Sequence, residues 1–121
     1  MAAPNLVNVA TITAKSVQAT LDTTLTTEIL ANASSSGKVF KVNSIVVANI
    51  DGSSAVDVSV AITKSGGSPI MIASTISVPA DATLVVSNSD TTIYLEEGDN
   101  IEAGASANSD ATITISYEEL S

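Results

Sequence analysis

The sequence predicts an all-β chain, a two-sheet antiparallel sandwich of jelly-roll type with a short extended N-terminal arm. Three observations predict it. Val56, Val58, Val60 and Ile62 alternate with Asp57, Ser59, Ala61 and Thr63, and Ala111, Ile113, Ile115 and Tyr117 alternate with Thr112, Thr114 and Ser116. A repeat of two is the signature of a half-buried strand. Ile and Val dominate the apolar residues and Thr and Ser the polar ones, and branched side chains fit a pleated surface better than a helix. Clusters of Gly, Ser, Asp and Asn then punctuate the chain at short, even spacing, as turns do. Eight or so strands in 121 residues make a two-sheet sandwich.

Residues 1–6 read as a flexible arm, with small side chains, Pro4 and no capping signal. Residues 7–121 read as one sandwich domain, long enough to bury a core without covalent staples. The strand candidates are 7–15, 16–22, 26–31, 38–50, 55–64, 69–78, 83–87, 91–96, 100–107 and 111–118. Leu21, Leu25, Ile29 and Ala33 have helical spacing, but Thr23, Thr24, Thr26 and Thr27 are poor helix formers, so strand is preferred there. In 38–50, Phe40, Val42, Val46, Ala48 and Ile50 share a face interrupted by Ser44, with Ile45 and Val47 opposite. Apolar residues on both faces predict a central strand or one covered by a partner. Asp51-Gly52 and Gly66-Gly67 are hairpin signals, since glycine accepts the positive φ of primed turns. Ile70, Ile72, Ile76 and Val78 form a predicted core face, with Met71 and Ala73 opposite. Leu84, Val86, Ile93 and Leu95 continue the core, and Ile101, Ala103, Ala105 and Ala107 imply close approach of the sheets or a tight corner.

Composition narrows the function classes. The chain has no His, Cys, Trp or Arg, so disulfides and thiolate metal sites are impossible. Its net charge of -9 sets 13 acids against four lysines, Lys15, Lys38, Lys41 and Lys64. That surface repels phosphate backbones and anionic membranes and favours solubility. There is no apolar run long enough for a membrane-spanning helix. Met1-Ala2-Ala3-Pro4-Asn5 lacks the basic-then-apolar order of a secretory signal, so synthesis in a cytoplasm is expected.

Candidate chemistry is sparse. Glu96, Glu97, Asp99 and Glu102 surround a Gly-containing turn and offer oxygen ligands of the kind calcium takes. Their spacing matches no EF-hand loop, and a solvated hairpin is the preferred reading; no metal or cofactor is expected. Asp51, Asp57, Asp81 and Asp90 read as turn formers. A serine nucleophile would lack a histidine base. Gly66-Gly67 is not followed by the Lys-Ser/Thr of a phosphate loop. Phe40, Tyr94 and Tyr117 are all the aromatics available to stack on a sugar. The chain is therefore expected not to be an enzyme. Asn32-Ala33-Ser34 matches a glycosylation sequon, read as chance without a secretory signal. Tyr94 opposes Ile93 and Leu95 by parity and is predicted to face outward as an interface anchor.

Several segments together carry a resemblance: Ala3-Pro4-Asn5-Leu6-Val7; Ser36-Gly37-Lys38-Val39-Phe40-Lys41-Val42-Asn43; Val47-Ala48-Asn49-Ile50-Asp51-Gly52; residues 72–84; Ile93-Tyr94-Leu95-Glu96-Glu97-Gly98-Asp99; and Ser116-Tyr117-Glu118-Glu119. Over nearly its whole length the chain resembles small virion structural proteins of tailed bacteriophages, particularly marine cyanophages. The resemblance implies a non-enzymatic β-sandwich, made in the host cytoplasm and present in the virion in many copies. The expected role is a capsid decoration (cement) protein that stabilises the head lattice, assembled as a trimer and bound to a major capsid or other virion protein. Its expected contacts are residues 1–8 and 39–47, with Pro4, Asn5, Leu6, Val7, Ile45, Val47 and Tyr94 as interface residues. A tail, neck or fibre component is the structural alternative. A carbohydrate- or receptor-binding module is the alternative from another class, disfavoured by the shortage of aromatics.

Overall fold

A computed structural model describes residues 6–25 and 28–121. Nine strands are present among them: β1 (Ile12–Thr20), β2 (Glu28–Ala31), β3 (Val39–Asn49), β4 (Val56–Thr63), β5 (Ile70–Val78), β6 (Thr83–Ser87), β7 (Ile93–Leu95), β8 (Asn100–Ala105) and β9 (Ala111–Leu120). Short 3-10 turns occupy Leu6–Asn8 and Ser89–Thr91. All pairings are antiparallel. The first sheet runs β1-β9-β3-β6, with β7 also on β3, and the second runs β2-β8-β4-β5. Across the sandwich β1 meets β2 and β5 meets β6. The order is nested: β1 pairs with β9, β2 with β8, and β4 with β5.

The core is built from the inner faces of both sheets. Val42, Ile45, Val47, Ile113 and Ile115 of the first sheet meet Val56, Val58, Val60, Ile101 and Ala103 of the second, all fully or nearly fully buried. Phe40 and Tyr117 stack at a centroid distance of 5.1 Å toward one end. Aromatic pairs in that range add stabilisation beyond their buried area. The small side chains Ala103 and Ala105 sit inside as expected, whereas Ala107 is only partly covered.

The alternation of 111–117 and 56–60 is reproduced residue by residue. Elsewhere the strands depart from the sequence reading. Candidates 7–15 and 16–22 merge into one shorter strand, paired without interruption from Ile12↔Leu120 to Thr20↔Thr112, while residues 6–8 form a 3-10 turn and 9–11, 21 and 22 are not strand. Of candidate 26–31, Glu28–Ala31 is strand, and residues 26 and 27 lie outside the described residues. In β3 the face changes midway. Val42 pairs with Tyr117 and Ser44 with Ser116, so Asn43 is an extra residue, a β-bulge. The bulge puts Phe40 and Val42, then Ile45, Val47 and Asn49, on the inner face, and leaves Ile50 exposed. The predicted face Phe40-Val42-Val46-Ala48-Ile50 is therefore corrected, because one added residue reverses strand parity.

The predicted core face of β5 is also corrected. Val78 is buried, but Ile70 (66% exposed), Ile72 and Ile76 are not. β5 is an edge strand, and its neighbour across the sandwich, β6, has five residues against nine, so much of β5 has no opposing layer. Two irregularities also break its register with β4, between Val58 and Val60 and between Val60 and Ala61. At the first, Thr75 adopts φ 52°, a left-handed conformation costly for a β-branched residue, and its N–H donates to Ser59 Oγ at 2.9 Å.

Candidate functional site

The two ends of the sandwich are fastened by buried polar side chains that the alternation analysis passed over. At one end Asn49 is almost fully buried on the inner face of β3. Its amide donates to the carbonyls of Ser54 (2.9 Å), Val78 (2.9 Å) and Pro79 (3.2 Å), and its Oδ1 accepts from the N–H of Asp51 at 2.9 Å. One side chain thus ties the β3–β4 and β5–β6 turns together. Burying an amide is tolerable because its hydrogen bonds are made.

At the opposite end Asn32 plays the same part. Its amide donates to the carbonyls of Lys38 (2.9 Å) and Leu95 (3.1 Å), and its Oδ1 accepts from Ser36 Oγ at 2.6 Å. The Asn32 N–H donates to the Asp99 carbonyl, and the Gly98 N–H to the Asn32 carbonyl. The sequon asparagine is therefore committed inside the fold, and a glycan on Asn32 is incompatible with this structure.

The acidic cluster of the sequence belongs to this end, and its four carboxylates have separate duties. Asp99 is buried and accepts from Lys64 Nζ, from the N–H of Ser65 (3.0 Å) and from the N–H of Glu96 (2.9 Å). Glu96 also accepts from Lys64 Nζ. Glu97 caps the N–H of Gly37 at 3.0 Å, and Glu102 accepts from Thr63 Oγ1 at 2.6 Å. Among the described residues no three carboxylates converge on a point where a cation would sit. Burial pushes the Asp99 carboxyl up, but the Lys64 ammonium and the two N–H donors outweigh it and hold it below its ordinary value. The same ion pairs raise the Lys64 ammonium above its own. Glu119 is a second such case: partial burial pushes it up, and Lys38 and Lys15, at 3.1 and 3.2 Å, bring it below.

Gly98 makes this end possible. Its φ is 87°, and a Cβ there would lie 2.7 Å from Ser65 Cβ. Gly98→Ala is expected to destabilise by more than about 1 kcal/mol, since alanine at positive φ adds strain and the contact separates the β4–β5 and β7–β8 turns. Chemical denaturation of the variant checks this; unchanged stability would mean that Ser65 yields freely.

The expected interface residues divide into three groups. Pro4 and Asn5 lie outside the described residues. Ile45 and Val47 are fully buried in the core, which corrects their assignment as contacts: the Asn43 bulge turned them inward. Leu6 (54% exposed), Val7 and Tyr94 (44% exposed) are on the surface. Leu6 and Tyr94, far apart in sequence, line one shallow cleft of about 230 Å³ together with Val39 and Glu96. The 3-10 turn Leu6–Asn8 leads into β1 through bonds from the N–H groups of Ala10 and Thr11 to the Ser121 carbonyl, both 2.9 Å. Those bonds hold residues 10 and 11 beside the end of β9. The cleft is mainly apolar, bordered by a carboxylate, and contains no nucleophile–base pair. No protein-family model, curated protein or solved structure matches the chain.

Proposed function

We propose that the chain is a non-enzymatic structural protein of a virion, a decoration protein that binds a repeating lattice through its N-terminal segment and Tyr94. The observation that carries the contact surface is the cleft where Leu6 and Tyr94 meet beside Val39 and Glu96. An apolar cleft with an aromatic at its rim suits an anchoring contact better than catalysis. The nested strand order of the two antiparallel sheets supports reading the sandwich as a jelly roll, an architecture used in viral shells. The placement in a virion rests on the sequence resemblance. A ligand that binds the assembled shell alone shifts the equilibrium toward assembly, which is how such a protein would stabilise a particle.

Removal of residues 1–8 tests the reading. The truncated chain is expected to keep its thermal midpoint, because the β1–β9 ladder and the bonds to Ser121 remain, while its occupancy on particles falls. Tyr94→Ala is expected to lower occupancy in the same way. Full occupancy of both variants in a particle reconstruction would overturn the assignment of this surface.

A further inference from the structure

The neutral edge of β5 is a second exposed surface, separate from the Leu6–Tyr94 cleft. We propose that it is a self-association surface, on which a second copy of this chain docks through the same strand about a two-fold axis. The inference stands apart from the particle reading, since it concerns the purified chain alone.

Four of the large exposed apolar residues, Ile70, Met71, Ile72 and Ile76, belong to this single strand. β5 pairs with β4 on one side, and its other side has no strand partner among the described residues. Long apolar edges of this kind invite another chain.

The other edges are less open to one. β2 has four residues and begins with Glu28. The β6–β7 edge is divided by a 3-10 turn containing Asp90. β1 is long and regular but has Lys15 at its middle, and lysine is a common edge protector. β5 has only its bulges, which break up a continuous ladder. Side-chain burial by its isoleucines and methionine would therefore contribute more to the contact than backbone hydrogen bonds.

Charge selects the occupant. Two copies bring together bodies of net charge -9 each, and most surfaces would oppose carboxylates. Residues 65–80 are the longest stretch of the chain with no ionisable side chain. Asp57 lies opposite Ser77 on β4, and Lys64 and Asp81 flank the stretch in sequence. A basic partner would be drawn to the acids elsewhere; a like copy loses least here. Pairing one edge with itself is isologous, so it closes at two subunits and does not propagate.

Sedimentation equilibrium of the purified chain, from low micromolar to near-millimolar concentration, tests this. A reversible dimer is expected, tightening with added salt as repulsion between the acidic bodies is screened. Ile72→Asp and, separately, Ile70→Lys are expected to weaken it at least about tenfold with little change in thermal midpoint, both sites being exposed. Hydrogen exchange at residues 70–77 is expected to slow as concentration rises. A monomer throughout, a trimer, or a dimer that survives both substitutions would overturn the proposal. So would a dimer broken by Gln18→Asp on β1 but not by the β5 variants. These outcomes are independent of particle occupancy, so this proposal and the particle reading fail separately.

Discussion

Ile45→Ala is expected to destabilise the isolated protein by about 2–5 kcal/mol, the usual range for truncating a large aliphatic side chain in a packed core. Ile45 is fully buried and belongs to the inter-sheet cluster. It pairs with Ile115 on one side and Ser87 on the other, so the lost volume would open near the centre of the first sheet. Denaturant unfolding with a two-state fit measures the loss. The result also separates two views of β3. A contact residue on an outer face would leave monomer stability nearly unchanged and alter binding alone. A loss below about 1 kcal/mol, smaller than core truncations give, would mean that the Asn43 bulge does not set the phase of this strand. Val46→Ala is the internal comparison: Val46 is half-exposed on the other face, and a smaller loss is expected there.

Asp99→Ala is expected to have the second large effect. The substitution leaves the N–H groups of Ser65 and Glu96 without their acceptor, at roughly 1–3 kcal/mol for each donor that stays buried and unpaired. Lys64, more than half exposed, turns to water, so its side of the pair contributes little to the loss. Asp99→Asn retains shape and one acceptor oxygen and is expected to lose less.

The same residue gives a pH dependence of definite sign. The Asp99 carboxyl is held below its ordinary value of 3.8 in the folded chain. Stability from a depressed carboxyl is present above the unfolded value and is lost as pH falls through the folded one. Glu119, also depressed, adds to the same acid limb. Lys64, raised above 10.5, contributes below that value and loses its contribution as pH rises through the folded one. Stability is therefore expected to be flat through neutral pH and to fall in acid, more steeply in the wild type than in Asp99→Asn. Parallel acid limbs for the two proteins would show that Asp99 is not the group that titrates.

The outward side of Tyr94 was legible in the sequence. Tyr94 was readable because β7 is short and regular, so the parity of Ile93 and Leu95 fixed the side of the residue between them. The meeting of Leu6 with Tyr94 was not legible, since it depends on the end of β9 receiving residues 10 and 11. The carboxylates at 96–102 were visible as a cluster of charge. Their partners, Lys64, Gly37 and Thr63, come from two other segments, and sequence spacing does not encode those distances. The sequon match at Asn32 and the turn-prone character of Asn49 gave no signal of their structural role, because the carbonyls they serve are assembled by the fold.

What the sequence determined by itself was the class of structure and its central strands. Strict alternation in 56–60 and 111–117 allows one face to be buried and one not, and branched side chains with dense turn residues leave little alternative to a β-sandwich. What the tertiary structure decided was which face, and how much of it, is covered. Parity reports relative facing within a strand, so the extra backbone residue at Asn43 reverses everything after it without altering local composition. Nor does an apolar pattern report whether a second layer extends far enough to cover it. The isoleucines of β5 match those of a core strand in sequence, and their exposure follows from edge position and a shorter strand opposite.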